Sequence, residues 1–592
     1  MFPAAGFASA AVLPYPVLKR IGDSFASDGG FDRLTEGTET CFRIIFVVLF
    51  LFLTAVIIWG IWDQKGRKKF IGSALKFPSG CAADAVPFMR SFRWSVRSAP
   101  EWSLILLAGI VLCGAFLRIL LLDRPLLHDE AYTMFIWGRS DLQYAVSDYH
   151  LPNNHLLNTF FVNLIYHLGA RAAWMMRLPA FSCGVLLIFF VWVLGRAMYN
   201  DIAGVVSAAL VAFCPFLVDY TVNARGYEIQ ALFTVMSAAL ALCIKRKNSP
   251  FAWFLLAVVS ALNFFTIPTA LYPFGGICLW LLIEGLSMEK GRKRVILRNI
   301  ILMGITVGFF TVILYTPLLR YSGFKSLFGN IFVRPVDPEI FLPTLLARIS
   351  ESAGIFYGSI PLFASIVILI GIISSPSALK KYSGCRISFA AAMFLWLLIV
   401  IPVQRPNLWP RTLLYLYPIL LLSAASGLSL FAGNGTLRHV SAFCIMAAVA
   451  VSAAPQFLSA AKSFGSAGTT ERAVWKILAE EGNNAGNVYV ATVSEDNAPL
   501  WVYADFYGPP EKIFDRSQPF DAVYVFVNSS NKSEDGANTL EGVLLEEGPG
   551  MQFIDESSVE ILLNSSNGIL YRYDAKTDTV AREYAKHPPI LR

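Results

Sequence analysis

The run SLILLAGIVLCGAFLRILLL at positions 103–122 carries one charge, Arg118, in twenty residues. That is the length a helix needs to cross a hydrocarbon core of about 30 Å. The run at 42–62 reads the same way. The composition extends the reading to most of the chain. Hydrophobic residues make up 56% of the 592 positions and charged residues 15%, whereas soluble domains sit near 45–50% and about 25%. The expected fold is an α-helical polytopic membrane protein with about 12 crossings, near 42–62, 102–122, 177–198, 202–222, 227–244, 251–267, 269–286, 295–317, 354–375, 387–403, 411–431 and 438–457. The stretch 154–169 is apolar but short, and Asn158, Asn163 and His167 interrupt it, so it reads as interfacial or re-entrant.

Orientation follows from the placement of Lys and Arg in short connections. The connection 63–101 holds Lys65, Arg67, Lys68, Lys69, Lys76, Arg90, Arg93 and Arg97. The turns 245–247, 290–298 and 380–386 are also basic. All four fall on the cytoplasmic side only if 154–169 does not cross. The outer side then receives the loops 123–176 and 318–353, the segment 404–410 and the C-terminal region. The chain divides into an N-terminal anchor and basic loop at 1–101, a membrane unit at 102–458, and a soluble part at 459–592, where acidic residues outnumber basic ones nearly two to one. Alternating runs at 488–493 and 522–527, with a helical stretch at 471–481, give that last part a small α/β character. It reads as a packing or acceptor-recognition module. The nine cysteines lie mostly in apolar segments as small hydrophobes, with no disulfide framework and no CxxC zinc pair. The first 40 residues lack the pattern of a secretory signal, and 42–62 is long enough to be an anchor.

The loop 123–176 breaks the apolar plan. Four of the six histidines fall within it, as His128, His150, His155 and His167, beside Asp129, Glu130, Asp141 and Asp148. Ionisable groups at membrane depth are costly and usually functional. Ordinary structural roles compete for each: Asp129 suits the N-cap of a helix beginning at Glu130, and Asn153 or Asn154 the cap of the next. Taken together, Asp129 and Asp148, flanked by His128 and His150, favour chemistry. Two carboxylates there suit general-base catalysis or the grip of a divalent metal. Arg225, in Asn223-Ala224-Arg225-Gly226-Tyr227, and Arg405 and Arg411, around Pro406-Asn407-Leu408-Trp409-Pro410, lie at outer junctions between spans. An arginine fork matches a phosphate, although each of these also suits snorkelling to lipid headgroups. A carboxylate base, arginines and an apolar body make a machine that moves a group from a lipid phosphate to an acceptor.

The sequence Leu126-Leu127-His128-Asp129-Glu130-Ala131-Tyr132-Thr133, followed by Asp148-Tyr149-His150-Leu151-Pro152-Asn153-Asn154-His155, resembles the first outer loop of GT-C glycosyltransferases. The protein O-mannosyltransferase and lipid A aminoarabinose transferase branch is the most similar. Arg177-Leu178-Pro179-Ala180 and Ala224-Arg225-Gly226-Tyr227 follow in that branch's order. The resemblance is specific over about 102–245, vaguer to 457, and does not cover 1–101 or the C-terminal part. It implies a polyprenyl-phosphate sugar donor and inverting transfer on the outer face of a bacterial plasma membrane. Asp129 matches the general-base position and Asp148 the second acid, with Glu130, His128, His150 and His155 in support. Arg225, Tyr227 and Arg411 are the expected phosphate-binding set. Many relatives follow the second acid with His-Pro-Pro or Lys-Pro, and the departure here bears on His150 and on any metal. The implied acceptor is a protein, a lipid or a polysaccharide; no nucleic-acid partner and no certain cofactor are expected, with a divalent metal as the open candidate. The competing reading is a lipid or solute transporter without covalent chemistry, but transporters place acids near the midplane, whereas here they gather in one outer loop.

Overall fold

The computed structural model describes residues 13–24, 77–328, 330, 333–358, 362–431, 469–484, 488–491, 498–507, 522–528, 558–565 and 568–574. The expected spans at 42–62 and 438–457 lie outside the described residues. Two helices, α1 (Tyr15–Ser24) and α2 (Phe77–Arg97), precede the first long apolar helix, α3 (Glu101–Leu121). The segment 63–101, expected as a basic loop, is therefore largely helical over its described part. Its apolar positions recur at helical spacing, which a reading for charge alone passes over.

The loop 123–176 holds α4 (His128–Tyr132), a π-turn at Thr133–Gly138, α5 (Leu142–Ser147), α6 (Leu156–His167) and α7 (Ala173–Met176). With 12 residues, α6 is about 18 Å long, too short to cross. Then follow α8 (Leu178–Met198), α9 (Asp201–Ala212) and α10 (Pro215–Thr221). The expected span 202–222 is built from two helices that are bent by 63°, because Pro215 has no N–H and cannot continue α9. Arg118, buried in α3, supplies a donor to the freed Ala212 carbonyl at 2.9 Å and to Gly114 at 3.0 Å. A membrane interior offers no water to do so.

The bundle continues with α11 (Tyr227–Lys247), α12 (Pro250–Thr266), α13 (Leu271–Leu286), α14 (Lys290–Tyr321), α15 (Gly323–Phe328), α16 (Pro338–Gly358), α17 (Leu362–Ala378), α18 (Phe389–Gln404) and α19 (Leu416–Leu428). The expected outer loop 318–353 is likewise mostly helix, and the span expected from 354 begins at Leu362. Glu339, Arg348 and Glu351 break the apolar run of α16 and hide it from a hydropathy reading. Six of the described helices are long and apolar enough to cross, and the bent pair and three shorter apolar helices account for the other expected spans.

The four basic connections meet at one end. Lys247 donates to Ser91 at 2.8 Å, Lys245 to the Gly384 carbonyl at 2.9 Å, and Arg292 to the Arg246 carbonyl at 2.9 Å. The buried Glu284 pairs with Lys245 at 2.9 Å and accepts from the Arg386 backbone at 2.6 Å. At the opposite end Ser322 bonds the Tyr149 amide at 2.9 Å, Asn330 the His150 carbonyl at 2.9 Å, and the Val336 amide the Arg405 carbonyl at 2.7 Å.

The C-terminal part holds α20 (Thr469–Asn484), β1 (Val488–Ala491), α21 (Ala498–Tyr507), β2 (Ala522–Asn528), β3 (Glu560–Ser565) and β4 (Gly568–Asp574). The sheet runs β1-β2-β4-β3, with β1 parallel to β2 and the remaining pairs antiparallel; Val525 stands opposite Tyr571. β3, β4 and α21 are found only in the structure. This part shares one apolar core with the loop 123–176: Leu126, Ala131, Met134 and Met176 pack with Trp475, Leu500, Tyr503 and Phe526.

Glycine sets the closest helix pair. A Cβ at Gly427 of α19 would strike the Gly371 backbone of α17, and one at Gly371 would strike Ala424, whereas Gly304 faces open space. Close backbone approach through small residues is a general means of packing helices in membranes. Gly427→Leu is expected to lower the melting temperature in detergent by several degrees, and Gly304→Leu to leave it unchanged. Equal melting of the two variants would reject this account.

Candidate active site

Glu130 is the third residue of α4 and is fully buried. Its Oε1 accepts the Leu127 amide at 3.1 Å, closing the first turn. The N-cap role considered for Asp129 is thus filled from Glu130, and Asp129 is left free for other contacts. Glu130 also meets Arg177 side-on, with Nη2 to Oε1 at 2.5 Å and Nε to Oε2 at 2.9 Å, and accepts the Ala224 amide at 2.9 Å. Arg177 spends its remaining donors on the Leu122, Arg124 and Pro125 carbonyls at 2.7, 2.8 and 3.2 Å. Both side chains have zero exposure. One ion pair thereby joins the end of α3, the start of α4, the start of α8 and the break before α11. Burial alone would push the Glu130 carboxyl up, but the Arg177 guanidinium outweighs it and holds the group below its ordinary value.

One residue earlier on the helix, Asp129 turns about 100° away from Glu130. Its Oδ2 lies 3.1 Å from Arg225 Nη1 and 3.6 Å from Arg411 Nη1. The Arg225 charge, with help from Arg411 and His128, holds the Asp129 carboxyl below the usual range against a partial burial that opposes it. Arg225 is almost wholly buried, while Asp129 and Arg411 are each 39% exposed at the side chain. Asn153 locks the pair: its Nδ2 donates to the Asp129 carbonyl at 2.9 Å and its Oδ1 accepts from Arg225. Tyr227 stands beneath, its hydroxyl 3.5 Å from Arg225 Nη2.

His155 is buried, and its Nδ1 accepts the Gly226 amide at 2.8 Å. Burial drives its pKa well below the ordinary value, so it is a neutral acceptor. A Cβ at Gly226 would press on Thr266 at 2.7 Å and on His155 at 3.0 Å, so the break that aims Arg225 needs glycine.

Asp148 belongs to a different network. Its Oδ2 accepts from Trp137 Nε1 at 2.7 Å and His150 Nδ1 at 2.5 Å, and His150 Nε2 meets the Tyr132 hydroxyl at 2.9 Å. A carboxylate only accepts, so His150 donates to Asp148 from a protonated Nδ1. Burial pushes the Asp148 carboxyl up, and the bonds from His150 and Trp137 more than offset it. Neither asparagine caps a helix, as the sequence had allowed. Asn154 donates to the Ala145 and Asp148 carbonyls at 2.9 and 2.7 Å, and Asn153 serves Asp129.

His128 is exposed at the mouth beside Tyr132, Asp141 is exposed, and His167 bonds the Ser140 carbonyl at 3.0 Å. Arg405 ends α18 in the left-handed region, with a φ of 45°. Trp409 is stacked by Arg348 at 3.5 Å, with Arg411 at 5.4 Å. Among the described residues no three His, Cys, Asp or Glu side chains converge on one point. Two guanidiniums already face Asp129, so that position is a poor seat for a dication. Sequence reasoning missed the structural work of Arg177, Asn153, Trp137 and Tyr503, whose hydroxyl accepts the Leu126 amide at 3.1 Å. A visible signal for Arg177 was its place just ahead of Pro179 at the start of a long apolar run.

Residues 154–316, from the start of α6 into α14, match the family described as dolichyl-phosphate-mannose-protein mannosyltransferase. The matched segment spans 163 of the 592 residues. Asp129 and Asp148 lie just ahead of the matched segment, and Arg225 and Tyr227 lie within it. Among solved structures, ArnT from Cupriavidus metallidurans is similar in the apo state at 11% identity, covering 79% of this chain and 97% of that one with a TM-score of 0.49. Its form bound to undecaprenyl phosphate is similar at 11% identity, covering 80% and 98%, with a TM-score of 0.48. The apo Archaeoglobus fulgidus oligosaccharyltransferase is similar at 12%, covering 80% and 74%, with a TM-score of 0.46. No curated protein matches the chain.

Removing one partner of a buried ion pair strands the other's charge, at a cost of about 3–5 kcal/mol. Arg177→Met should therefore lower thermal stability strongly, and adding Glu130→Gln should restore part of it. A double variant no more stable than Arg177→Met alone would show that the pair is not the source of the loss.

Proposed function

We propose that this membrane protein is a GT-C glycosyltransferase that transfers a sugar from a polyprenyl-phosphate donor to an acceptor on the extracytoplasmic face, with inversion, and that Asp129 is the general base. The observation that carries the reading is one carboxylate oxygen facing two arginines, at 3.1 and 3.6 Å, on a surface the bundle leaves accessible. The matched family is described by a lipid-phosphate-linked sugar and a protein acceptor; here a protein, lipid or polysaccharide hydroxyl or amine would serve. The gathering of the basic connections at the far end favours an outer position for the site.

Arg225 and Arg411, with Tyr227 beneath, hold the donor phosphate. The prenyl chain lies along the apolar flank of the bundle. The acceptor attacks the anomeric carbon from the side opposite the phosphate. Its proton passes to Asp129 as the new bond to carbon forms, and the bond from carbon to phosphate oxygen breaks with its electron pair going to the lipid phosphate. That leaving group is already a stable anion, so it needs fixed positive charge rather than a proton. The link from Asp148 through His150 to Tyr132 orients the Tyr132 phenol toward the donor sugar's hydroxyls, which makes Asp148 a positioning residue. With no donor bound, Asp129 itself occupies the arginines as an internal anion. An arriving phosphate competes for them and leaves the carboxylate more basic.

Asp129→Asn should cut transfer by about 10²–10⁴, the usual worth of a general base, with expression and folding intact. Labelled prenyl-phosphate sugar and acceptor would report it, and near-normal turnover would remove Asp129 from the role.

The pH dependence carries a sign. The pKa of Asp129 is depressed in the free enzyme, so its carboxylate persists as pH falls and protonates only below the ordinary range. The acid limb of kcat/KM, which reports free enzyme, should therefore lie lower than the acid limb of kcat, which reports the donor complex. Coincident limbs would show that the phosphate does not displace Asp129 from its arginines.

A further inference from the structure

The helix α2 crosses the basic end of the bundle, about 31 Å long for its 21 residues. Its inner face is fixed at several points. Asp84 accepts from Ser249 and, at 3.3 Å, from the Phe251 amide; Cys81 Sγ reaches the Pro250 carbonyl at 3.4 Å. Lys247 holds Ser91 at 2.8 Å, Arg196 reaches the Ser95 carbonyl, and Phe88 meets Phe251 edge-on at 5.5 Å. The helix thus bridges the tips of α12, α11 and α8 and feeds directly into α3.

One flank of α2 is not used by any of these contacts. Val86, Met89, Phe92 and Val96 form a groove of about 630 Å³ with Phe189 of α8, rimmed by Arg90, Arg93 and Arg97. Val86 and Met89 are more than half exposed, and Trp94 is 71% exposed on the adjoining face. Among the described residues none of the three arginines has a hydrogen-bond or ion-pair partner, and the sole acid of α2, Asp84, is engaged with α12. Three guanidiniums without a partner among the described residues thus line an apolar slot that takes in Phe189, a half-buried residue of the long apolar helix α8. Leu186, one turn from Phe189, is 47% exposed on that helix.

We infer that this groove binds an anionic phospholipid, with an acyl chain along Phe189, Val96 and Met89 and the headgroup phosphate on Arg90, Arg93 and Arg97. Charge selects the occupant. A zwitterionic lipid satisfies the apolar slot but brings no net charge to three arginines. Basic side chains at a lipid surface favour anionic headgroups by roughly fivefold each. Trp94 anchors the helix at the headgroup level, as amphipathic rings do, and the arginine stems lie along the apolar surface. Because α2 runs into α3, whose far end carries the catalytic loop, a lipid bound here steadies the helix on which the site is hung.

The test uses the full-length protein in neutral detergent, with phosphatidylglycerol or phosphatidylcholine added at equal mole fraction. Thermal unfolding and mass spectrometry of retained lipid are the readouts. The wild type should retain phosphatidylglycerol in at least tenfold preference and melt several degrees higher with it. R90Q/R93Q/R97Q should lose both effects while melting normally without lipid, and K380Q/K381Q, at the same end of the bundle, should keep them. Equal response of the wild type to both lipids overturns the proposal, and so does an undiminished preference in the triple variant. The second of those results would place the lipid's headgroup on residues other than Arg90, Arg93 and Arg97.

Discussion

The pair formed by Glu130 and Arg177 is the contact on which the rest of the site depends. Neither group has water to fall back on, so each must be satisfied by the other and by backbone, and all of their bonds are made to four separate pieces of chain. Such a pair is weak as a source of stability, since two desolvated charges barely recover their cost. Its value is geometric. With Glu130 pinned inward, α4 has one rotation available, and Asp129 must face the arginines. With the Ala224 amide tied to Glu130, the break before α11 has one position available, and Arg225 must face Asp129.

The same logic of satisfying polar groups explains the irregular backbone. Four of the devices described here serve a break in a helix or the entry to one: Arg118 at Ala212, His155 at Gly226, Asn158 at the Ala224 carbonyl at 2.8 Å, and Tyr503 at Leu126. In a membrane each unmet amide or carbonyl costs several kcal/mol. Irregular chain survives only where side chains from elsewhere reach it. The sites that can be bent into catalytic shapes are therefore those where the sequence has placed a buried Arg, Asn or His nearby.

The C-terminal part takes on a second meaning in this light. It reads in sequence as an appendage, yet α21 packs on α4, Phe135 stacks on Trp501 with centroids 6.1 Å apart, and Tyr166 donates to Asp505 at 3.0 Å. The loop that carries Asp129 is thus held between two bodies, the bundle through Arg177 and the sheet domain through Tyr503. A short five-residue helix such as α4 has too few internal bonds to stand alone, and these supports supply what it lacks.

Local composition was enough to fix the membrane class, the loop 123–176 as the anomaly, and the pairing of ends, because apolar run length and the placement of Lys and Arg follow directly from the physics of a bilayer. Asp129, Arg225 and Arg411 were legible for the same reason: a charge in such a chain needs a purpose. What the sequence could not settle was partnership. Glu130 and Asp148 look like Asp129 on paper, and only packing separates a carboxylate spent on Arg177, or on Trp137 and His150, from one turned toward two arginines. The break at Pro215, the helices α2 and α16 and the union of α21 with α4 were likewise decided by tertiary structure, because each depends on contacts between residues far apart in the chain.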